Sequence, residues 1–254
     1  MRFFLEVAYV GTRYHGWQRQ PNAHSVQAEL ENALATLLRQ PVETVASGRT
    51  DTGVHARQQF VHLDWESDLT ESDLVHRLNR LLPPDVAIRS LRRVHAEAHA
   101  RFDAVARRYE YHLISQKDPF RSGRAAVFSQ RLDVAQMNEA AAQLLNHSDF
   151  TSFSKVKTDV QHFRCHITQA IWRPEAETLV FHVRADRFLR GMVRLLTATM
   201  LKIGRGKLSL SELQQLVAKE GKVAFSAPAH GLFLAKVEYP PDYFTVPDVA
   251  FTGF

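Results

Sequence analysis

The spacing of apolar residues divides the chain into two runs of strands and helices. A helix is predicted over residues 26–38, because Ser25 can cap its N-terminus and leucines recur along one face. Short apolar runs bounded by glycine or proline predict strands around it. The first run has the order β-α-β-β-α-β, over residues 3–10, 26–38, 42–46, 58–64, 70–82 and 86–94.

The second run follows the same order with longer connections. Its elements are predicted at residues 107–115, 134–145, 165–173, 179–185, 188–203, 210–219 and 232–237. Residues 174–178 are predicted to join two of these strands as a hairpin. The order indicates an α+β fold with two similar β-α-β-β-α-β halves and antiparallel sheets, divided as residues 1–97 and 98–254. Residues 240–254 are expected to pack as an arm or to fray.

Composition is that of an ordinary globular protein. The 254 residues are 45% hydrophobic and 23% charged. A single cysteine, Cys165, excludes an intramolecular disulfide, and the N-terminus carries no apolar signal-peptide run. We therefore expect a cytoplasmic protein without a membrane-spanning segment.

Basic residues exceed acidic ones, and the excess is local. Lys and Arg number 32 against 27 Asp and Glu. Residues 184–207 hold seven basic side chains against Asp186 alone, and residues 101–131 show a similar excess. Such clusters suit a polyanion such as RNA, because each neutralised phosphate releases counterions. A solvated basic face without a ligand explains the charge equally well.

The stretch from Ser47 to Ala56 is the most informative in the sequence. Gly48 and Gly53 permit sharp turns on either side of Asp51, which is presented close to Arg49. Taken alone, an aspartate in such a loop is most often a turn former.

Residues 48–55, with the sequence Gly-Arg-Thr-Asp-Thr-Gly-Val-His, resemble the signature of TruA-type tRNA pseudouridine synthases. Thr52 departs from the alanine usual in that signature. Further stretches that resemble the family's motifs come in the family's order, at residues 9–11, 14–20, 78–83, 99–102, 107–111, 149–153, 188–194 and 227–232.

The resemblance implies isomerisation of uridine in RNA with Asp51 as the nucleophile. A carboxylate can attack the base or the sugar, or it can remove a proton from the ribose. The resemblance also implies that Arg194 pairs with Asp51 and that Tyr109 stacks on the target uracil. Arg49 either holds the base out of its stack or braces the loop.

Basic residues near these positions are candidates for phosphate contacts. In the predicted helix 188–203, apolar residues occupy one face, and Arg187, Arg190 and Arg194 are expected to form a stripe on the other. Arg107 and Arg108 are assigned to phosphates as well. An ordinary solvated face is the alternative for the stripe.

The resemblance further implies the surroundings of the site. Two similar halves face each other across a basic cleft, with Asp51 at its floor. A homodimer is implied, with tRNA as partner and a uridine on the 3′ side of the anticodon arm as target. No cofactor and no metal are expected. His95 and His99 are four residues apart, as are His162 and His166, but no acid or second cysteine completes a zinc pattern around them. A non-catalytic RNA-binding protein and a synthase for another RNA are the alternatives.

Overall fold

A computed structural model describes residues 1–66, 69–155, 162–219, 221–244 and 249–250. Residues 249 and 250 are described by their backbone only. The chain divides into two compact units. Met1–Val105 and Leu234–Phe254 form the first, and Ala106–Phe233 form the second. This division differs from a single cut after residue 97, because the chain returns to the first unit at its C-terminal end.

The first unit is built on an antiparallel sheet. Its elements in chain order are β1 Arg2–Tyr9, α1 Val26–Leu38, β2 Val45–Ala46, β3 His55–Asp64, α2 Glu71–Leu81 and β4 Val86–Arg93. The central strand β1 pairs with β3 on one side and with β4 on the other. The short strand β2 pairs antiparallel with β3. The predicted order β-α-β-β-α-β is confirmed.

The second unit combines mainly antiparallel strands with helices. Its elements are β5 Ala106–Ile114, β6 Ala126–Val127, α3 Val134–Gln143, β7 Ile167–Glu175, β8 Thr178–Ala185, α4 Met192–Gly204 and α5 Leu210–Val217. Strand β8 pairs antiparallel with β5 and β7, and the short β6 lies parallel to β5. Helix α3 packs against α4 and β7. The α+β class with mainly antiparallel pairing is confirmed.

Helix starts that depend on a local cap are where the sequence predicts them. The Ser25 side chain accepts a hydrogen bond from the Ala28 amide at the start of α1. Thr70 accepts one from the Asp73 amide at the start of α2. Each cap satisfies an amide that has no partner within the first turn.

Two predicted boundaries in the second unit are wrong. The hairpin between β7 and β8 turns at residues 176–177, with Ala176 at φ 50°, so Pro174 belongs to the strand. Helix α4 begins at Met192, four residues after the predicted start. Gly191 interrupts it with φ 73°, a left-handed conformation that a right-handed helix cannot include.

The C-terminal part of the chain joins the first unit through strands and aromatic packing. Strand β9 spans Leu232–Glu238, and β10 Val249–Ala250 pairs with β4. Tyr239, Tyr243 and Phe244 all contact the ring of Phe4, with centroids 5.5, 5.8 and 5.9 Å away. The predicted arm therefore packs as far as Phe244, and residues 245–248 and 251–254 lie outside the described part.

Candidate active site

The loop that carries Asp51 is anchored where it leaves β2. The Ser47 amide donates to the Phe60 carbonyl (2.7 Å), and the buried Ser47 hydroxyl donates to Gln59 Oε1 (3.1 Å). Gln59 Nε2 donates in turn to the Gly48 carbonyl (2.7 Å). The backbone before Asp51 is therefore tied to β3 by buried and partly buried hydrogen bonds.

The end of β1 and a second loop, residues 11–17, also hold the Asp51 loop. The buried Thr50 hydroxyl is hydrogen-bonded to the Tyr9 hydroxyl (2.8 Å), and the Trp17 amide donates to the Thr50 carbonyl (3.2 Å). After Asp51, the Gly53 amide donates to the Tyr14 carbonyl (3.2 Å). The residue before the aspartate and the residue two positions after it are thus fixed by residues distant in sequence.

Glycine is required where the two loops approach most closely. Gly16 has φ 91°, and a Cβ built there would lie 2.5 Å from the Thr50 carbonyl oxygen. A Cβ on Gly11 would overlap the Val54 carbonyl oxygen. Any larger residue at either position would push the loops apart.

His55 serves the scaffold of this site. It is fully buried at the start of β3, and its Nδ1 accepts a hydrogen bond from the Gly11 amide (3.0 Å). An Nδ1 that accepts carries no proton, so the ring is neutral with its proton on Nε2. This agrees with its interpretation as a core histidine rather than an acid–base group.

Tyr14 extends the support of the loop towards β4. Its ring is buried, and its hydroxyl donates to Asp85 Oδ1 (2.7 Å). Burial first, and the hydrogen bond to Asp85 second, raise the pKa of the Tyr14 hydroxyl well above its usual range. The sequence assigns no role to residues 14–17 beyond the family resemblance. Two large aromatic residues beside a glycine in a loop nevertheless indicate a segment that packs on the loops next to it.

The two charged side chains of the loop differ in exposure. Asp51 is half-buried, whereas Arg49 is exposed. The backbone hydrogen bond from the Val54 amide to the Asp51 carbonyl (3.1 Å) closes a turn directly after the aspartate. The Asp51 carboxyl group is therefore presented by a turn whose two ends are both held.

Tyr109 lies in the middle of β5 in the second unit. Its half-buried ring meets Phe188 edge to face, with the centroids 5.1 Å apart and the planes at 86°. Two residues on, Tyr111 is fully buried and its hydroxyl donates to the Pro228 carbonyl (2.9 Å). Tyr111 fixes the strand, and Phe188 orients the Tyr109 ring.

Arg194 lies in the first turn of α4. Its Nε donates to the Ala227 carbonyl (2.7 Å) and its Nη2 to the Ser226 hydroxyl (3.3 Å). The Ala227 amide donates back to the Arg194 carbonyl (3.0 Å). The guanidinium is therefore oriented by the segment before β9.

The four arginines assigned to phosphates do not share one surface. Arg107 and Arg108 are consecutive in β5 and point to opposite faces of the sheet. Arg107 Nη1 donates to the Asp186 carbonyl (3.0 Å), and Arg187 Nη1 lies 3.4 Å from His162 Nε2.

The expected arginine stripe along one helix face is wrong. Arg187 and Arg190 lie in the connection before α4, because the positive φ of Gly191 delays the start of the helix. Only Arg194 of the three is helical. Arg190 is exposed, and its carbonyl accepts the Lys155 amide (3.1 Å).

The residues predicted for catalysis come from both units. Asp51 and Arg49 belong to the first, and Tyr109 and Arg194 to the second. The pairing of Asp51 with Arg194 stays a prediction. In the part of the chain that is described, no group of three or more His, Cys, Asp or Glu side chains is arranged to hold a metal ion. Among those same residues, no helix has the length and apolar character needed to span a bilayer.

Comparison with known proteins decides the family. The family model described as tRNA pseudouridine synthase matches residues 6–103 and 140–240. The chain belongs to the tRNA pseudouridine synthase family. Members of this family are isomerases. The matched segments contain Asp51 and Arg194, while Tyr109 lies between them.

Full-length relatives extend the match over most of the chain. A tRNA pseudouridine synthase A of Porphyromonas gingivalis is 49% identical over 249 residues, covering 96% of this chain and 99% of the relative. The protein of the same name from Bacteroides thetaiotaomicron is 48% identical over 250 residues, covering 96% and 93%. A third, from Bacteroides fragilis, is 47% identical over 247 residues, covering 96% and 98%.

Proposed function

We propose that this protein is a tRNA pseudouridine synthase that isomerises a uridine on the 3′ side of the anticodon arm, with Asp51 as nucleophile. The observation that carries the proposal is the double anchoring of the Asp51 loop in a chain of this family. A reacting carboxylate has to be held within a fraction of an ångström, and the hydrogen bonds before and after Asp51 supply that restraint.

The reaction rearranges bonds without adding or removing atoms. The bond from uracil N1 to ribose C1′ breaks, the base rotates, and C5 bonds to C1′. The proton leaves C5, and N1 gains one. Uridine and pseudouridine are isomers, so the balance requires no oxidant, reductant or co-substrate.

The side chains around Asp51 have separate roles in the proposal. Arg194 keeps the carboxylate ionised when a base excludes water from the site, since burial alone raises a carboxyl pKa. Tyr109 stacks on the uracil, and its edge contact with Phe188 sets the plane of the ring. Arg49, which is exposed, is available to hold the target nucleotide out of its stack.

The surroundings of the site complete the proposal. The two halves face each other across a basic cleft, and the protein acts as a homodimer on tRNA. Arg107, Arg108, Arg187 and Arg190 meet phosphates. Since Arg107 and Arg108 lie on opposite faces of β5, they contact different parts of the RNA.

The decisive experiment measures tritium released from tRNA labelled at uridine C5. Wild type should release it without any added cofactor. Asp51→Asn should release at least a thousandfold less while binding tRNA with near-normal affinity, because the amide keeps the shape and removes the nucleophile. Turnover of Asp51→Asn within tenfold of wild type rules out Asp51 as the nucleophile. Tritium release from other RNAs but not from tRNA would overturn the assignment of tRNA as the substrate.

A further inference from the structure

The turn of residues 99–103 displays an aromatic ring to solvent. Phe102 is 74% exposed, and the Arg101 guanidinium lies 5.6 Å from the centre of its ring. The His99 ring packs on Phe102 with centroids 4.2 Å apart and planes tilted by 33°. Behind it, the His62 ring meets His99 edge to face at 4.7 Å. The exposed ring is therefore the outermost member of an aromatic ladder.

The turn holds its own backbone in place. His99 Nδ1 accepts hydrogen bonds from the amides of Arg101 (3.1 Å) and Phe102 (3.3 Å). Asp103 Oδ2 accepts one from the His99 amide (2.7 Å). The exposure of Phe102 is consequently a feature of an ordered turn, because the backbone beneath the ring is hydrogen-bonded.

Further contacts attach the turn to the sheet of the first unit. The Ala100 amide donates to His62 Nδ1 in β3 (3.1 Å), and the Tyr239 hydroxyl donates to the Ala100 carbonyl (2.7 Å). The Tyr243 hydroxyl donates to Asp103 Oδ2 (2.5 Å). A ring displayed from such a support loses little conformational entropy when it binds a partner.

This turn is remote from the Asp51 loop. The Asp51 loop precedes β3 at His55, whereas the turn is attached at His62, seven residues further along the same strand. At a rise of about 3.3 Å per residue, the two attachment points are roughly 23 Å apart. Phe102 is thus too distant to be the platform for the reacting uracil.

We infer that Phe102 and Arg101 form a second RNA contact, in which the ring stacks on an unpaired base of the tRNA and the guanidinium meets a neighbouring phosphate. This inference rests on the proposed function. A base would extend the ladder from His62 through His99 and Phe102. An aromatic face beside a cation is the combination that recognises unstacked nucleotides. Since a stable protein interface buries a far larger area than one ring, the RNA occupant is favoured.

The test compares variants of Phe102 in tRNA binding and turnover. Phe102→Ala should raise the Kd for tRNA about 5- to 150-fold. Phe102→Leu should behave like Phe102→Ala, because it lacks an aromatic face, and Phe102→Trp should bind like wild type. In the F102W variant, binding of tRNA should quench the fluorescence of the tryptophan introduced at position 102. Phe120→Ala is the matched control, since Phe120 is 86% exposed in the second unit and should leave the Kd unchanged.

Several results would overturn the inference. They are a Phe102→Leu variant that binds like wild type, an equal loss of affinity in Phe120→Ala, or a change of oligomeric state in Phe102→Ala, which would assign the ring to a second copy of the chain. The proposed function is tested separately by tritium release from wild type. If wild type releases none while Phe102→Ala still weakens tRNA binding, the function fails and the contact stands. Normal tritium release by wild type, together with an unchanged Kd for tRNA in Phe102→Ala, would overturn only the RNA contact of Phe102.

Discussion

The loop around Asp51 and the connection between β8 and α4 both carry candidate chemistry, yet they are held in different ways. At the first, several hydrogen bonds are buried, such as those between Tyr9 and Thr50 and between Gly11 and His55. Those at the second are exposed, as between the Arg187 amide and Asp186 Oδ1 (2.7 Å).

This difference matches the proposed roles of the two regions. A carboxylate that attacks one atom has to be placed accurately, whereas an arginine that meets a phosphate needs reach and charge. Buried polar contacts therefore support the loop of the proposed nucleophile, where a displacement of about 1 Å would be costly.

Among variants that leave Asp51 in place, the largest effect should come from removing its proposed counter-ion. Arg194→Ala leaves a desolvated carboxylate unpaired, which costs about 3–5 kcal/mol and slows turnover by roughly a hundredfold or more. Arg194→Lys should be intermediate, since it keeps the charge and loses the two donors that meet residues 226 and 227. Single-turnover tritium release measures both.

Arg205→Ala is the control for this experiment, because Arg205 follows the last residue of the same helix and is exposed. Full activity and an unchanged melting temperature in Arg194→Ala would contradict the pairing.

A smaller effect should follow from loosening the Asp51 loop without touching its side chains. Gly16→Ala brings a Cβ to 2.5 Å from the Thr50 carbonyl oxygen at a positive φ, a strain of about 1–3 kcal/mol. We expect kcat to fall about tenfold and Tm to drop by several degrees. Gly48→Ala in the same loop is the control, since its added Cβ meets nothing within 4 Å. Equal behaviour of the two variants would show that accurate placement of this loop is unimportant.

The arginines assigned to phosphates should change the affinity for tRNA and its salt dependence more than the rate of the chemical step. Arg187→Ala should flatten the plot of log affinity against log salt by about 0.7–0.9 for each phosphate that is no longer neutralised. The same series for Arg107→Ala and Arg108→Ala tells which face of β5 the RNA follows, because the two side chains point apart. Filter binding across a salt series measures the slopes. Wild-type slopes in all three variants would place the RNA path elsewhere.

Near neutral pH the smallest effect concerns the far end of β3, because it develops only as the pH falls. Burial first, then the charges of His99 and Arg2, lower the pKa of His62 to about 4, while Asp64 and Asp103 oppose the shift. The unfolded chain then binds a proton that the folded chain does not. Unfolding free energy should therefore fall as pH drops from about 6.5 towards 4.

His62→Asn should flatten this dependence, since the Asn side chain can accept from the Ala100 amide without titrating. Thermal unfolding at several pH values measures the difference. Parallel pH profiles for wild type and variant would show that His62 does not titrate in this way.

The sequence by itself determined the features that depend on neighbours along the chain. Helices α1 and α2 begin at Ser25 and Thr70 because those side chains cap amides three residues away. The Asp51 loop was predictable for a similar reason, since Gly48 and Gly53 flank a short polar stretch between two predicted strands. Local propensity and spacing suffice for such features.

Only the tertiary structure decided what depends on contacts between distant residues. Gly191 is left-handed where it packs against the Lys155 side chain, so Arg187 and Arg190 lie outside α4. The segment after Leu234 joins the first unit because Tyr239 and Tyr243 pack on Phe4. These partners are far apart in sequence, and their contacts form only once the chain has closed long loops, so no local pattern encodes them.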